Sequence, residues 1–207
     1  MHRCANVTRI PTSDKKMRRW TNVNKIYLFG GRFFNPKNEV YMKIESGKFY
    51  FIKDKFFEII DDKELMKNKE NGNKRPCYFC FRSKKYDNII WFIPVSTKIE
   101  KYQKIYNNKI QKQIKLGKNP SVDTIVFGEI ANTYSAFLIQ NMFPVTKEYV
   151  ESQYIKNKVP IRLSNKLQEE IIEKANKVLN LYNHGMKNIV FPNMDKILEQ
   201  LTKMDRN

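Results

Sequence analysis

Ser96, Thr97 and Lys98 place two hydroxyls and a cation on consecutive positions directly after the strand-like run Trp91-Phe92-Ile93-Pro94-Val95. Hydroxyls donate hydrogen bonds to phosphoryl oxygens and an ammonium neutralises their charge, so such a corner suits a phosphate. RNA cleavage needs no metal when the ribose 2′-hydroxyl attacks the adjacent phosphate in line. The protein must then orient that phosphate, neutralise its developing charge and move protons. Ser96, Thr97 and the adjoining Lys98 are therefore the candidate catalytic residues. A Ser or Thr at the head of a helix also caps it, and a helix N-terminus attracts phosphate, so capping and catalysis are compatible here.

The surroundings fit a polyanion. Lysines recur from Lys98 through Lys118 with Tyr102 and Tyr106 among them, and the whole chain carries a formal net charge of +18 over 207 residues. That is the electrostatic footprint of a nucleic-acid binder. Lys74, Arg75, Tyr102, Lys104, Lys109 and Lys112 are the candidate RNA contacts. Membrane, the rival polyanion, is disfavoured because no run of about 18 apolar residues and no secretory signal pattern occurs, which points to a soluble cytoplasmic protein. The two histidines, His2 and His184, exclude a two-histidine ribonuclease, since one lies at the extreme terminus and the other precedes Gly185 as a helix stop. Cys4, Cys77 and Cys80 are too few and too odd in number for a disulfide framework. Cys77-x-x-Cys80 has no second Cys or His pair to complete a zinc site, so buried strand thiols are expected, with no metal and no cofactor.

The elements that must position the corner follow from periodicity. Residues 49–53 read as a strand and 54–62 as a short helix, with Phe56, Phe57, Ile59 and Ile60 on its buried side. Residues 63–75 read as a charged loop in solvent. Residues 77–82 and 89–95 form a hairpin at the centre of the sheet. Residues 99–116 carry apolar groups at helical spacing between lysines, a basic amphipathic helix ended by Gly117 and Pro120. Strand character resumes at 124–127 and 136–141, and Thr146 is placed to cap a helix running to about residue 154. Ser164 caps a long helix to Asn183 with one apolar stripe, and a last helix covers 193–204. One α+β domain results.

Four stretches, Lys48-Phe49-Tyr50-Phe51-Ile52, Lys74-Arg75-Pro76-Cys77, Phe92-Ile93-Pro94-Val95-Ser96-Thr97-Lys98 and Ala136-Phe137-Leu138-Ile139-Gln140-Asn141-Met142-Phe143-Pro144-Val145, occur in the order seen in the ToxN/AbiQ family. The chain resembles these type III toxin–antitoxin endoribonucleases over roughly residues 43–204, nearest their CptN-like branch. The resemblance implies a compact single domain on a twisted antiparallel sheet with peripheral helices, similar to the MazF/Kid barrel core. It also implies a metal-independent, sequence-specific cut leaving a 2′,3′-cyclic phosphate. The implied partners are cellular or phage RNA as substrate and a small pseudoknotted RNA antitoxin made from tandem repeats, assembled with the toxin as a protein–RNA hetero-oligomer in phage defence by abortive infection. Ser96 and Thr97 match the family's hydroxyl pair. The family's lysine two residues beyond the second hydroxyl falls on Ile99, so Lys98 or Lys101 must substitute, and its aromatic hydroxyl in the first helix falls on Phe56, leaving Tyr50 or Tyr102 for that role.

Residues 1–41 match nothing in the family, and Met42-Lys43 falls just before the first matching strand. Met42 is therefore a candidate start, residues 1–41 a poorly ordered or spurious N-terminal extension, and residues 42–207 the endoribonuclease domain. The alternative is a non-catalytic basic RNA-binding protein, which the aromatic and basic interleaving alone would allow.

Overall fold

The computed structural model describes residues 27–29, 32–34, 43–70 and 72–204. In the unit Met1–Tyr41, strands β1 (Tyr27–Phe29) and β2 (Arg32–Phe34) pair antiparallel; the reading of residues 1–41 as an extension falls mostly outside the described residues.

In the second unit, β3 (Phe49–Ile52) leads into helix α1 (Asp54–Ile60), which buries Phe56 and Ile60 and half-buries Phe57 and Ile59. The following charged segment is more ordered than its composition suggests. Strands β4 (Lys69–Glu70) and β5 (Asn73–Lys74) make a small hairpin, and buried Asn68 donates from Nδ2 to the Ile52 carbonyl at 2.9 Å and to Asp54 Oδ1 at 2.6 Å. Its amide thus bonds the carbonyl at the end of β3.

β6 (Cys77–Arg82) and β7 (Ile89–Ser96) form the expected central hairpin, with a register shift between Phe79 and Phe81. Cys77 and Cys80 are buried free thiols; burial pushes the Cys77 thiol up to about 12 and raises that of Cys80 further. β7 does not stop at its proline. Pro94 lies between the stretch of β7 that pairs with β10 (Phe143–Thr146) and the stretch that pairs with β9 (Thr133–Phe137). There it needs only to accept, from the Leu138 N–H at 3.0 Å, so its missing donor interrupts no ladder bond and the strand runs on to Ser96.

Helix α2 (Ile99–Lys115) follows, then β8 (Val126–Ile130), which pairs with β9 across a two-residue turn at Ala131 and Asn132, φ 49° and 66°. Sheet order is β11-β3-β6-β7-β9-β8, with β10 also on β7. This is the expected antiparallel sheet with peripheral helices; among the described residues β11 and β8 do not pair, so its barrel-like core is not closed. The helix expected after Thr146 is instead a single 3₁₀ turn, Lys147–Tyr149, followed by β11 (Val150–Gln153), which pairs with β3. Pairing with a strand about 100 residues earlier in the chain outweighs local capping, since Thr146 makes no capping bond.

After the short pair β12 (Ile155–Lys156) and β13 (Val159–Pro160), α3 (Asn165–Asn183) begins as expected: Ser164 Oγ accepts from the Leu167 N–H at 3.3 Å. Ile171, Ala175, Val178 and Tyr182 are its buried stripe, and Gly185 at φ 97° ends it. α4 (Met194–Met204) completes the chain. The main core joins the sheet to α1, α3 and α4, with Phe56 stacked on Phe143. A second, smaller core of Tyr102, Val122, Ile125, Ala136 and Leu138 lies under α2. Among the described residues no helix is long and apolar enough to cross a membrane.

Candidate active site

The end of β7 is where sheet, helix and cations meet. Ser96 is the last residue of the strand, paired with Ala136 and 5% exposed. Its Oγ accepts the Lys98 N–H at 3.3 Å and turns the chain toward α2. The Thr97 carbonyl accepts from Ile99 N–H at 2.9 Å, and the Thr97 side chain is exposed. The N-cap of α2 is Lys98, without a side-chain cap, so neither hydroxyl does the capping that a Ser-Thr pair leads one to expect. Ile99 N–H, the first amide of the helix, is thus already bonded to Thr97 and Tyr102 N–H donates to the Lys98 carbonyl at 3.3 Å, so the amides left for an anion at the helix head are those of Glu100 and Lys101.

Arg75 braces this corner from the β6 side. Its Nη1 donates to the Val95 carbonyl at 2.9 Å and its Nε to the Lys67 carbonyl at 3.3 Å, fixing a guanidinium one residue from Ser96. Lys98 and Lys101 are both exposed at the head of α2, with the Lys101 ammonium 5.5 Å from the Tyr102 ring centroid. Ile99, where the family pattern puts its lysine, is half-buried against the second core. The structure thus brings together Ser96, Thr97, Lys98, Lys101 and Arg75.

The other sequence candidates divide. Lys104 and Lys112 are exposed on α2. Tyr102, expected to meet RNA, is 6% exposed, and its ring anchors α2 in the second core. Lys109 also departs from the exposed row: its ammonium donates to Thr124 Oγ1 at 2.7 Å and to Gln140 Oε1 at 2.8 Å, and burial lowers its pKa. Lys74 is paired with Glu151. Tyr50 cannot replace the family's aromatic hydroxyl, because it is fully buried and its OH accepts from Glu45 N–H at 2.8 Å and donates to the Glu45 carbonyl at 3.2 Å. Phe56 lies in the main core.

The Thr124 and Gln140 partners of Lys109 were not foreseen, although the sequence carried a signal. Lys109 stands seven residues after Tyr102, and at about 100° per residue the two lie within about 20° of each other on the helix. A cavity of about 750 Å³ lined by Trp91, Tyr86 and Tyr182 lies toward the other end of β7, between the β6–β7 turn, α3 and α4, apart from this corner. Among the described residues no three or more of His, Cys, Asp and Glu are grouped to hold a metal.

No family model and no curated protein matches the chain. Solved structures do. One is from a study of bacterial type III toxin–antitoxin systems and selective toxin inhibition by a non-coding RNA pseudoknot, with TM-score 0.53 and 12% identity over 79% of this chain and 100% of that one. A second is AbiQ, a lactococcal anti-phage endoribonuclease of a type III system, with TM-score 0.52 and 15% identity over 79% and 100%. A third is from a bacterial antiviral system regulated by a processed non-coding RNA, with TM-score 0.51 and 14% identity over 73% and 95%. The match spans essentially the whole of each neighbour, and the chain has the fold of the ToxN/AbiQ toxins of type III toxin–antitoxin systems.

Proposed function

We propose that this protein is the toxin of a type III toxin–antitoxin system, a metal-independent and sequence-specific endoribonuclease held inactive by a small repeat-derived RNA pseudoknot. The observation that carries the reading is the corner at Ser96, Thr97 and Lys98, set at the head of a basic helix on a fold shared with type III toxins. The scissile phosphate lies over Thr97 and the first turn of α2, where the hydroxyl and helix amides bind its non-bridging oxygens. The substrate's own 2′-oxygen attacks phosphorus as the 2′-proton is withdrawn. A 2′,3′-cyclic phosphate forms, the bond to the 5′-oxygen breaks, and that oxygen takes up a proton. Lys98 neutralises charge on the pentavalent phosphorus, Lys101 is the second candidate for that task, and Ser96 holds the Lys98 backbone in position.

The burial of Ser96 favours a second reading, a basic RNA-binding protein without catalysis. One experiment separates the two. The purified protein is incubated with total bacterial RNA in EDTA, and the fragment ends are analysed. The toxin reading expects cleavage leaving 2′,3′-cyclic phosphates, abolished in Lys98→Ala and Ser96→Ala while their folding survives. Intact RNA, or Ser96→Ala cutting at the wild-type rate, overturns it.

A further inference from the structure

The corner supplies groups for a phosphate, and the adjoining hairpin supplies a surface for a base. In the register Ser96 pairs with Ala136, Ala136 with Phe127, and Tyr134 with Glu129. Directly paired residues share a face of the sheet, as do residues two apart along a strand, so Ser96, Ala136, Phe127 and Tyr134 all face one side. Ala136 belongs to the second core with Tyr102, which identifies that side as the one α2 covers.

β9 outruns β7. Beyond Ser96 the chain turns into α2, while among the described residues positions 133–135 of β9 pair with β8 alone. Tyr134 stands on this overhang and is 55% exposed. Its ring lies at 15° to that of Phe127 with centroids 6.2 Å apart, and Phe127 in turn meets Tyr106 of α2 edge-on at 5.7 Å and 66°. One cross-strand step and one two-residue step put the Tyr134 Cα about 8 Å from that of Ser96, within reach of a nucleotide adjoining a phosphate held at the corner. Glu129, directly opposite Tyr134 and exposed, opposes a phosphate over this row and can accept from a base amino group.

We propose that Tyr134, backed by Phe127 and Tyr106, is the stacking platform for the unpaired RNA base next to the scissile phosphate. This rests on the RNA-cleaving reading of the corner and adds a subsite to it. An exposed aromatic ring meets the face of any base, so the platform fixes which nucleotide is drawn out beside the cut and leaves base identity to neighbouring polar groups.

The test uses single-stranded 2′-fluoro RNA, which lacks the nucleophile, with 2-aminopurine at one position in each oligonucleotide. Wild-type protein is expected to bind and to quench the fluorophore at one or two adjacent positions. Tyr134→Ala should lose that quenching and bind about tenfold to a hundredfold more weakly with an unchanged salt slope, and Tyr134→Phe should behave as wild type. Quenching and affinity unchanged in Tyr134→Ala, or a loss shared by Tyr134→Phe, overturns the proposal. If Tyr134→Ala melts early, Tyr134→Leu decides, since it keeps apolar cover over Phe127 without a π-face: retained quenching overturns the platform and lost quenching supports it. Cleavage of unmodified RNA by the wild type tests the parent reading separately.

Discussion

Replacing Lys109 by Met removes one ammonium and keeps most of its apolar stem, so the effect reports the polar bracket beneath α2. In the native protein that ammonium serves Thr124 Oγ1 at 2.7 Å and Gln140 Oε1 at 2.8 Å, and Gln140 is only 1% exposed. A buried acceptor left without a donor costs about 1–3 kcal/mol. The Thr124 hydroxyl can rotate to recover part of this, while the ammonium no longer has to be desolvated, which places the expected loss near 2 kcal/mol. For a chain of this size that is a fall in Tm of about 4–8 °C, with the denaturant midpoint lowered at constant m.

The pH dependence gives a second reading of the same group. Burial lowers the folded-state pKa of Lys109 below its ordinary 10.5. Between the folded and unfolded values the unfolded chain binds more protons, so this group makes wild-type stability rise with pH in a window just below 10.5. Lys109→Met should lose that rise. Urea melts of both proteins at pH 7 and pH 10 measure both effects as a difference, since the raised Cys77 and Cys80 thiol pKa values lower the stability of wild type and variant alike as pH rises; an unchanged midpoint at pH 7, or a gap between the two proteins that does not widen from pH 7 to pH 10, would refute the assignment of Lys109 to the interior.

Neutralising exposed Lys104 and Lys112 together should lower the salt slope of RNA binding by about 1.4–1.8, whereas Lys109→Met should leave it unchanged; filter binding from 50 to 200 mM salt checks this, and an equal drop in both variants would count against it. The buried Cys77 and Cys80 thiols, with raised pKa values, should resist Ellman's reagent until the protein unfolds. Of the 3 cysteines the native protein should then react at no more than one, and rapid reaction of two or three would show that the β6 thiols are accessible.

Elements whose information is local were legible in the sequence. The α3 start is set by Ser164 bonding the Leu167 N–H and its end by Gly185, and both signals lie within a few residues of what they control. The β6–β7 hairpin and α2 likewise follow from short-range patterning. The β8–β9 hairpin was only half seen, because its turn is made by Ala131 and Asn132 at positive φ with no glycine to announce it. β11 reads locally as a helix after Thr146, because its partner β3 lies about 100 residues earlier, beyond any local window. At the corner, residue types were readable and side-chain directions were not. Lys104 and Lys109 look alike in composition, and only the helical angle from Tyr102 separates an outward lysine from an inward one.

That angle also explains how the corner is held. Ala136 and Phe137 are consecutive on β9 and point to opposite faces, and the first packs in the small core beneath α2 while the second packs in the main core. Ser96 is tied to this strand through Ala136, so its position follows the sheet. Lys98 and Lys101 ride on α2, which rests on Tyr102, a handful of apolar partners and the Lys109 bracket. The hydroxyl side of the site and its cationic side are thus supported by different cores of unequal size. Local stability scales with the contacts that must open, so α2 should loosen at a smaller free-energy cost than β7. Changes beneath α2 should move the cations relative to Ser96, so on the proposed cleavage reaction substitutions in the small core are expected to lower RNA-cutting rates before they lower the melting temperature.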